Sequence, residues 1–484
     1  MAISRANRPE ISITNIAIAA VLIAIFIPVQ LGGPWLSVAW AVQGAVVMWM
    51  SFRLGMWQLR PLAMGAFGIF ALWLLFADTP DAFSADLTPF ANGFFPAYVL
   101  SAAAIFFAAF LYRRRSEELQ EWETSLFPVF LGAGNLVLTL MVPIQLGSVW
   151  ITVTWAAMAL GLMALSFRLG IVELRQFSLG IFAATAIKLV AVDTPEALSG
   201  DFTPLLNQHV FAFGASIGAA FLAAFLLRRN ARALQDFDKY LSKGFVVAGV
   251  ALLTLAVPVQ FDGVWVAVTW AAMALGLMAL SGRMKMEELS WTGLGVLAVT
   301  AVRLVAFDTQ VDLDGFRPIV NMRMVAFGSG IAALYGAAYL TWKGRVATKP
   351  FTVDIIPFLL VAANFLTLFV LSAEVIASVD SGVIGVSDSV AGNAKSLGLS
   401  LLWATYASIA LVMGIFKGFR SLRLAGLALL AVPVLKLFLV DSFQLEQGFR
   451  VAAFLVLGAM LLAGGFLYQR YRIAIDEFLF TDRK

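Results

Sequence analysis

The fifteen residues IPVQLGGPWLSVAWA from Ile27 return as VPIQLGSVWITVTWA from Val142 and as VPVQFDGVWVAVTWA from Val257. Trp40, Trp155 and Trp270 stand 115 residues apart, and so do Gln30, Gln145 and Gln260. A fixed offset of this kind indicates one supersecondary unit copied along the chain, so an architecture that suits one copy has to suit its neighbours. A second marker follows in ALWLLFADTP, AIKLVAVDTP and AVRLVAFDTQ, which places Asp78, Asp193 and Asp308 at the same spacing. A more divergent fourth copy carries Trp403 in LLWATYA and Asp441 in VLKLFLVDSF, each 133 residues beyond its third-copy counterpart. The extra length lies in VIASVDSGVIGVSDSVAGNAK, whose small and polar residues predict an inserted loop over 375–396.

These copies are too apolar for a soluble fold. Hydrophobic residues make up 61% of the 484 and charged ones 13%, against about 25% charged in globular proteins. Each apolar stretch approaches the roughly 20 residues that cross a hydrocarbon core. Within a copy four helices are expected: one ending at Pro-x-Gln, one carrying the Trp, one ending at the Asp and one ending in basic residues. The expectation is an all-α polytopic membrane protein with about 16 transmembrane helices in four parallel four-helix repeats. The repeats span 11–115, 126–229, 241–343 and 352–472. They form one membrane domain with no soluble domain, and so no built-in ATPase. Arg5 and Arg8 precede the first apolar run as in a signal peptide. Its equivalence to the fifth, ninth and thirteenth segments instead predicts a retained helix.

Lys and Arg set the orientation, because they concentrate in loops that stay cytoplasmic. Arg53, Arg60, Arg113 to Arg115, Arg168, Arg175, Arg228, Arg229, Arg283 and Lys285 fall on one side, whereas the other holds only Arg317, Arg323, Lys395 and Arg450. Both termini are therefore expected in the cytoplasm. An even number of spans per copy makes the repeats parallel rather than inverted. The formal charge of +4 reflects these loops and calls for no nucleic-acid partner. Ala157-xxx-Gly161 and Ala272-xxx-Gly276 predict close helix approach. With no cysteine and one histidine, His209, the chain has no disulfide or thiolate chemistry and no basis for a haem or multi-histidine zinc site, so no cofactor or metal is expected.

The chemistry-bearing positions are embedded charges. Lys188, Arg303 and Lys436 each precede their Asp (Asp193, Asp308, Asp441) by five residues, and the first copy has Trp73 there. On an α-helix five residues turn through about 140° and rise roughly 7.5 Å. The partner of Lys188 is therefore expected on a neighbouring helix rather than at Asp193. A second position opens each fourth helix: Phe94 in NGFFPAY, His209 in NQHVFAF, Arg323 in NMRMVAF and Arg450 in QGFRVAAF. Gln145, Gln260 and Glu374 end the first helices at a similar depth, with Asn135 and Asn364 deeper. Intramembrane charges mark functional sites by default, while neutralised pairs that fix helix packing are the other reading.

The loops DTPDAFSADLTPFAN and DTPEALSGDFTPLLN carry several carboxylates. Their Asp-Thr-Pro and Thr-Pro pairs predict helix N-caps with Pro in the first turn rather than a cation site. Trp35, Trp150 and Trp265 suit an interfacial belt, and Trp40, Trp155, Trp270 and Trp403 suit core positions. Glu117, Glu118, Glu121 and Glu123 beside Arg113 to Arg115 predict a solvated linker.

The segment VLKLFLVDSFQLEQGFRVAAFLVLGAMLLAGGFLYQRYR resembles the C-terminal signature of a bacterial family of predicted membrane proteins, domain of unknown function 2339. Lys436, Asp441, Leu445, Arg450, Phe454 and Gly458 fall on that pattern. The resemblance is specific over 430–472 and looser from about 20 to 430. It implies a multi-pass protein of the bacterial cytoplasmic membrane and brings no activity with it.

The leading expectation is an outward-facing cationic cavity that binds or transports a small anionic or amphiphilic solute. Lys188, His209, Arg303, Arg323, Lys436 and Arg450 would supply charge, with Asp193, Asp308 and Asp441 as counter-ions. The alternative is a non-catalytic scaffold or assembly subunit whose buried charges are structural. Membrane lipids and other envelope proteins are the expected partners. An enzyme acting on a lipid-linked substrate is a third reading, and no catalytic motif supports it.

Overall fold

The computed structural model describes residues 8–199, 207–231, 238–310, 313, 315–344, 346, 355–385, 387–417, 425–432 and 435. Among them the secondary structure is helical, without strands. Among the described residues thirteen helices are long and apolar enough to cross a membrane, and Thr14–Gln30 is a shorter apolar one. Helices are the form such a sequence must take in lipid, where each backbone N–H and C=O has to be satisfied within its own segment.

Two compact units divide the chain, Met1–Gln260 and Phe261–Lys484. The first contains α1 (Arg8–Gln30), α2 (Trp35–Leu54), α3 (Arg60–Trp73), α4 (Thr79–Ser84), α5 (Phe94–Arg114), α6 (Leu126–Gln145), α7 (Ser148–Leu169), α8 (Val172–Lys188), α9 (Thr194–Ser199), α10 (His209–Arg229) and α11 (Asp238–Gln260). In it α2 packs on α3 and α5, α5 on α6, α7 on α8 and α10, and α10 on α11. The second contains α12 (Val264–Met284), α13 (Glu287–Ala306), α14 (Met322–Trp342), α15 (Ile356–Asp380) and α16 (Asp388–Lys417). Here α12 packs on α13 and α14, and α14 on α15.

Helix ends follow local chemistry. Gly55 and Gly170 close α2 and α7 in the left-handed region, and the next residues' N–H groups, of Met56 and Ile171, return to the carbonyls of Ser51 and Ser166. Lys285 holds the same place after α12 at φ 52°, with Met286 bonded to Ser281, although it carries a Cβ. The tryptophans differ in exposure, with Trp155 and Trp403 half-buried. Trp35, Trp150 and Trp265 are exposed, whereas Trp40 and Trp270 are buried. The Trp155 indole donates to the Thr139 carbonyl at 3.1 Å and that of Trp403 to Ser372 Oγ at 2.9 Å.

Three expectations are corrected. Ala157, Gly161, Ala272 and Gly276 lie on exposed helix faces, and nothing stands within 4 Å of a Cβ built on either glycine. The buried stripe of α7 runs instead through Thr152, Ala156, Ala159 and Met163, so the small-residue motif lies off the face that packs. The insertion at 375–396 is mostly helix: it completes α15 as far as Asp380 and starts α16 at Asp388, with Lys395 ion-paired to Asp380 across the turn. Glu123 is not solvated. It is fully buried and paired with Arg60, which also donates to Ser51 Oγ at 3.3 Å and lies over the Phe52 ring.

Candidate functional site

In the first two copies the third-type helix does not stop at its Asp. After α8 the chain makes a π-helical turn over Leu189–Asp193, in which the Thr194 N–H returns to the Leu189 carbonyl, and continues as α9. The same turn over Leu74–Asp78 joins α3 to α4. After α13 the Asp308 N–H reaches back to the Arg303 carbonyl at 3.3 Å, again five residues earlier. Threonine hydroxyls reinforce each turn: Thr79 donates to the Leu74 carbonyl, Thr194 to Leu189 and Thr309 to Leu304. An i to i−5 bond widens the helix locally and draws residues five apart together.

That widening overturns the expectation that Lys188 and Asp193 look away from each other. Lys188 Nζ donates to Asp193 Oδ1 at 2.5 Å, to the Ser148 carbonyl at 2.8 Å and to Thr152 Oγ1 at 3.1 Å. Thr152 donates in turn to Asp193 Oδ2 at 2.5 Å. Three ammonium protons thus meet three acceptors, and both carboxylate oxygens are occupied. The Asp193 side chain is 0% exposed and that of Lys188 14%. In the first copy Ser37 takes the place of Thr152 and donates to the buried Asp78, with Trp73 standing where the lysine would be.

The third copy is built on the same plan with one group missing. Arg303 Nη2 donates to the Gly263 carbonyl at 2.9 Å, 40 residues away as Ser148 is from Lys188. Its Nε lies 3.4 Å from Asp308 Oδ2, and the side chains are 22% and 6% exposed. The residue 115 beyond Thr152 is Ala267, fully buried and without a hydroxyl. Among the described residues Asp308 Oδ2 makes no hydrogen bond. Burial lifts the Asp308 carboxyl above the ordinary carboxylate range, with the Arg303 charge pulling the other way.

A second set of contacts joins the start of each fourth-type helix to the end of the next first-type helix. Asn92 and Gln145 exchange amide hydrogen bonds at 2.8 and 3.2 Å, and Asn207 and Gln260 do the same at 2.9 and 3.4 Å. Asn321 donates to both oxygens of Glu374 at 3.0 Å. Arg323 joins the same carboxylate through Nε at 2.9 Å and Nη2 at 2.7 Å, while its Nη1 reaches the Thr309 carbonyl. Each Asn also caps its helix, accepting from the N–H of Phe95, Val210 or Met324. His209 is buried at the first position of α10.

These asparagines are the site residues that reading the sequence for charge passed over. They open the quoted NGFFPAY, NQHVFAF and NMRMVAF motifs, so the signal was present. The caps predicted at Asp78-Thr79-Pro80 and Thr88-Pro89 are not used: α4 continues from α3 without free N–H groups to cap, and α5 starts later, at Phe94. Thr194-Pro195 does begin α9, likewise as a continuation through the π turn. Thr203, Lys436, Asp441 and Arg450 lie outside the described residues.

Fold and site together define a class, that of all-helical multi-span membrane proteins with buried ion pairs at their helix ends. Residues 290–471 match the model of a family described as a predicted membrane protein, DUF2339. No curated protein and no solved structure matches the chain.

Proposed function

We propose that this chain is a non-catalytic membrane scaffold or assembly subunit whose buried charges hold helices in register. The observation that carries the reading is the closure of the Lys188 site, where every proton and every carboxylate oxygen already has a partner within the chain. A site that binds a solute must leave part of its hydrogen-bonding capacity open. The Arg323–Glu374 and Asn–Gln clamps support the same role, because each ties one helix pair to the next. Equal separations also support the four-repeat reading: 41 residues in Ser37–Asp78 and Thr152–Asp193, and 53 in all three Asn–Gln/Glu pairs.

About sixteen spans in four parallel repeats, cytoplasmic termini and a bacterial inner-membrane location belong to this proposal, with membrane lipids and other envelope proteins as partners. The absence of cysteine makes the topology directly testable, since single introduced cysteines can be labelled from either side without background. The structural role is tested by unfolding Lys188→Met and Lys188→Met/Asp193→Leu in detergent. A packing pair predicts a large loss in the single variant and recovery in the double one, because an apolar pair avoids the buried, unpaired carboxylate. A single variant that folds with unchanged stability would overturn the reading.

The second reading, solute binding, is favoured by one observation, the partly exposed Arg303, whose Nε makes no hydrogen bond among the described residues. It predicts that acetate or inorganic phosphate raises the thermal midpoint of the wild-type chain and leaves that of Arg303→Met unchanged. Equal midpoints with and without these anions would remove it.

A further inference from the structure

An apolar groove of about 330 Å³ runs between α2 and α5, lined by Val42, Ala45, Val46, Trp49, Leu100, Ala104 and Phe107. Its size lies at the small end of ligand pockets. No polar surface lines it. The two helices run side by side in the same direction: Pro34 lies against Gly93 where they begin, and Phe52 meets Tyr112 edge-on at 5.5 Å where they end. The groove therefore has a defined end, and that end is basic.

Arg53 stands seven residues beyond Val46 and Arg114 seven beyond Phe107, which places each arginine on its helix's groove face two turns on. Helical side chains lean back toward the N-terminus. Accordingly the Arg53 guanidinium lies over its own Trp49 ring at 5.2 Å, and that of Arg114 over Phe110 at 5.8 Å. The neighbouring arginines are engaged elsewhere, Arg113 at the Leu169 carbonyl and Arg115 with Glu118. Among the described residues Arg53 and Arg114 have no carboxylate partner. Two uncompensated guanidinium groups at the mouth of a dry slot match one kind of occupant, with an anionic head and a hydrocarbon tail. A phosphate held by two arginines gains charge-assisted bonds that a zwitterionic headgroup partly cancels with its own cation.

We propose that the α2–α5 groove is a binding site for one anionic phospholipid, with an acyl chain along Val46, Trp49, Leu100 and Phe107 and the phosphate between Arg53 and Arg114. The site is independent of the charge network, and it depends on neither reading of the function.

The test places a photoreactive phenylalanine analogue at the exposed Leu100 of the full chain, reconstituted in equimolar phosphatidylcholine and phosphatidylglycerol. Crosslinked lipid is then identified by mass spectrometry. Phosphatidylglycerol should be enriched over the bulk ratio by up to roughly thirtyfold, two arginines acting near a membrane surface. In Arg53→Gln/Arg114→Gln, whose changes are confined to exposed side chains, the ratio should return to that of the bulk. Filling the slot with Ala104→Phe should lower the crosslinking of both lipids. Crosslinks that follow the bulk composition in the wild type, or an enrichment that survives loss of both arginines, would overturn the assignment.

Discussion

The sites around Lys188 and Arg303 use the same frame to different ends. In both, a cation on the third-type helix reaches a backbone carbonyl 40 residues back and a carboxylate five residues ahead. At Lys188 the Thr152 hydroxyl bridges cation and anion, and the pair is closed. At Arg303 the residue in that place is Ala267, and Asp308 Oδ2 makes no hydrogen bond among the described residues. One methyl-bearing hydroxyl separates a saturated packing pair from a pair with spare capacity. The difference shows that burial of a charge by itself does not reveal whether it holds helices together or stays open for other work.

Removing the cations should separate the sites most clearly. Lys188→Met leaves the fully buried Asp193 without its counter-ion and should lower unfolding free energy by about 3–5 kcal/mol. Arg303→Met should lower it by only about 1 kcal/mol, since Arg303 is partly exposed and its Nε stands 3.4 Å from Asp308 Oδ2 without a hydrogen bond. Equal losses in denaturant unfolding would break the contrast. Exchanging the bridging group comes next. Thr152→Ala strips Asp193 Oδ2 of its donor and should lower stability by about 1–3 kcal/mol. The converse, Ala267→Ser, should raise it by about 1 kcal/mol if the new hydroxyl reaches Asp308, read as an increase in thermal midpoint. The smallest effect is expected at a helix end. Lys285→Gly relieves a left-handed non-glycine residue where Gly55 and Gly170 stand in the other copies, and should add about 0.5–1 kcal/mol. A fall in midpoint would show instead that the Lys285 side chain contributes a contact.

How much of this was legible in the residues varies with the kind of interaction. The helix ends at Gln145, Gln260, Gly55 and Gly170 follow from local signals and were readable, because a Pro-x-Gln turn or a left-handed glycine acts through its own backbone. The register of Lys188 and Asp193 was not readable with ideal helix geometry, since the π turn moves the pair onto one face. Asn92, Asn207 and Asn321 give no charge signal, although each stands two residues before the position held by Phe94, His209 and Arg323. Glu123 was misplaced because a cluster of acidic residues suggests solvent, while its burial depends on Arg60, 63 residues away. The lengthened α15 and α16 likewise show that small polar residues do not exclude helix when the preceding span can extend.

The all-helical, membrane-spanning character and the spacing of the recurring positions follow from the residues alone. Hydrophobic content and repeat length act locally, and a backbone in hydrocarbon has one economical way to satisfy itself within a segment. Which of the embedded charges are closed depends on how the helices pack. That outcome turns on angstrom-scale contacts among residues 40 to 53 positions apart: the presence of a hydroxyl at Thr152 and its absence at Ala267, and the approach of Asn321 and Arg323 to Glu374. Spacing along the chain marks the positions, and only the packing of α7 on α8, α12 on α13 and α14 on α15 settles what each side chain meets.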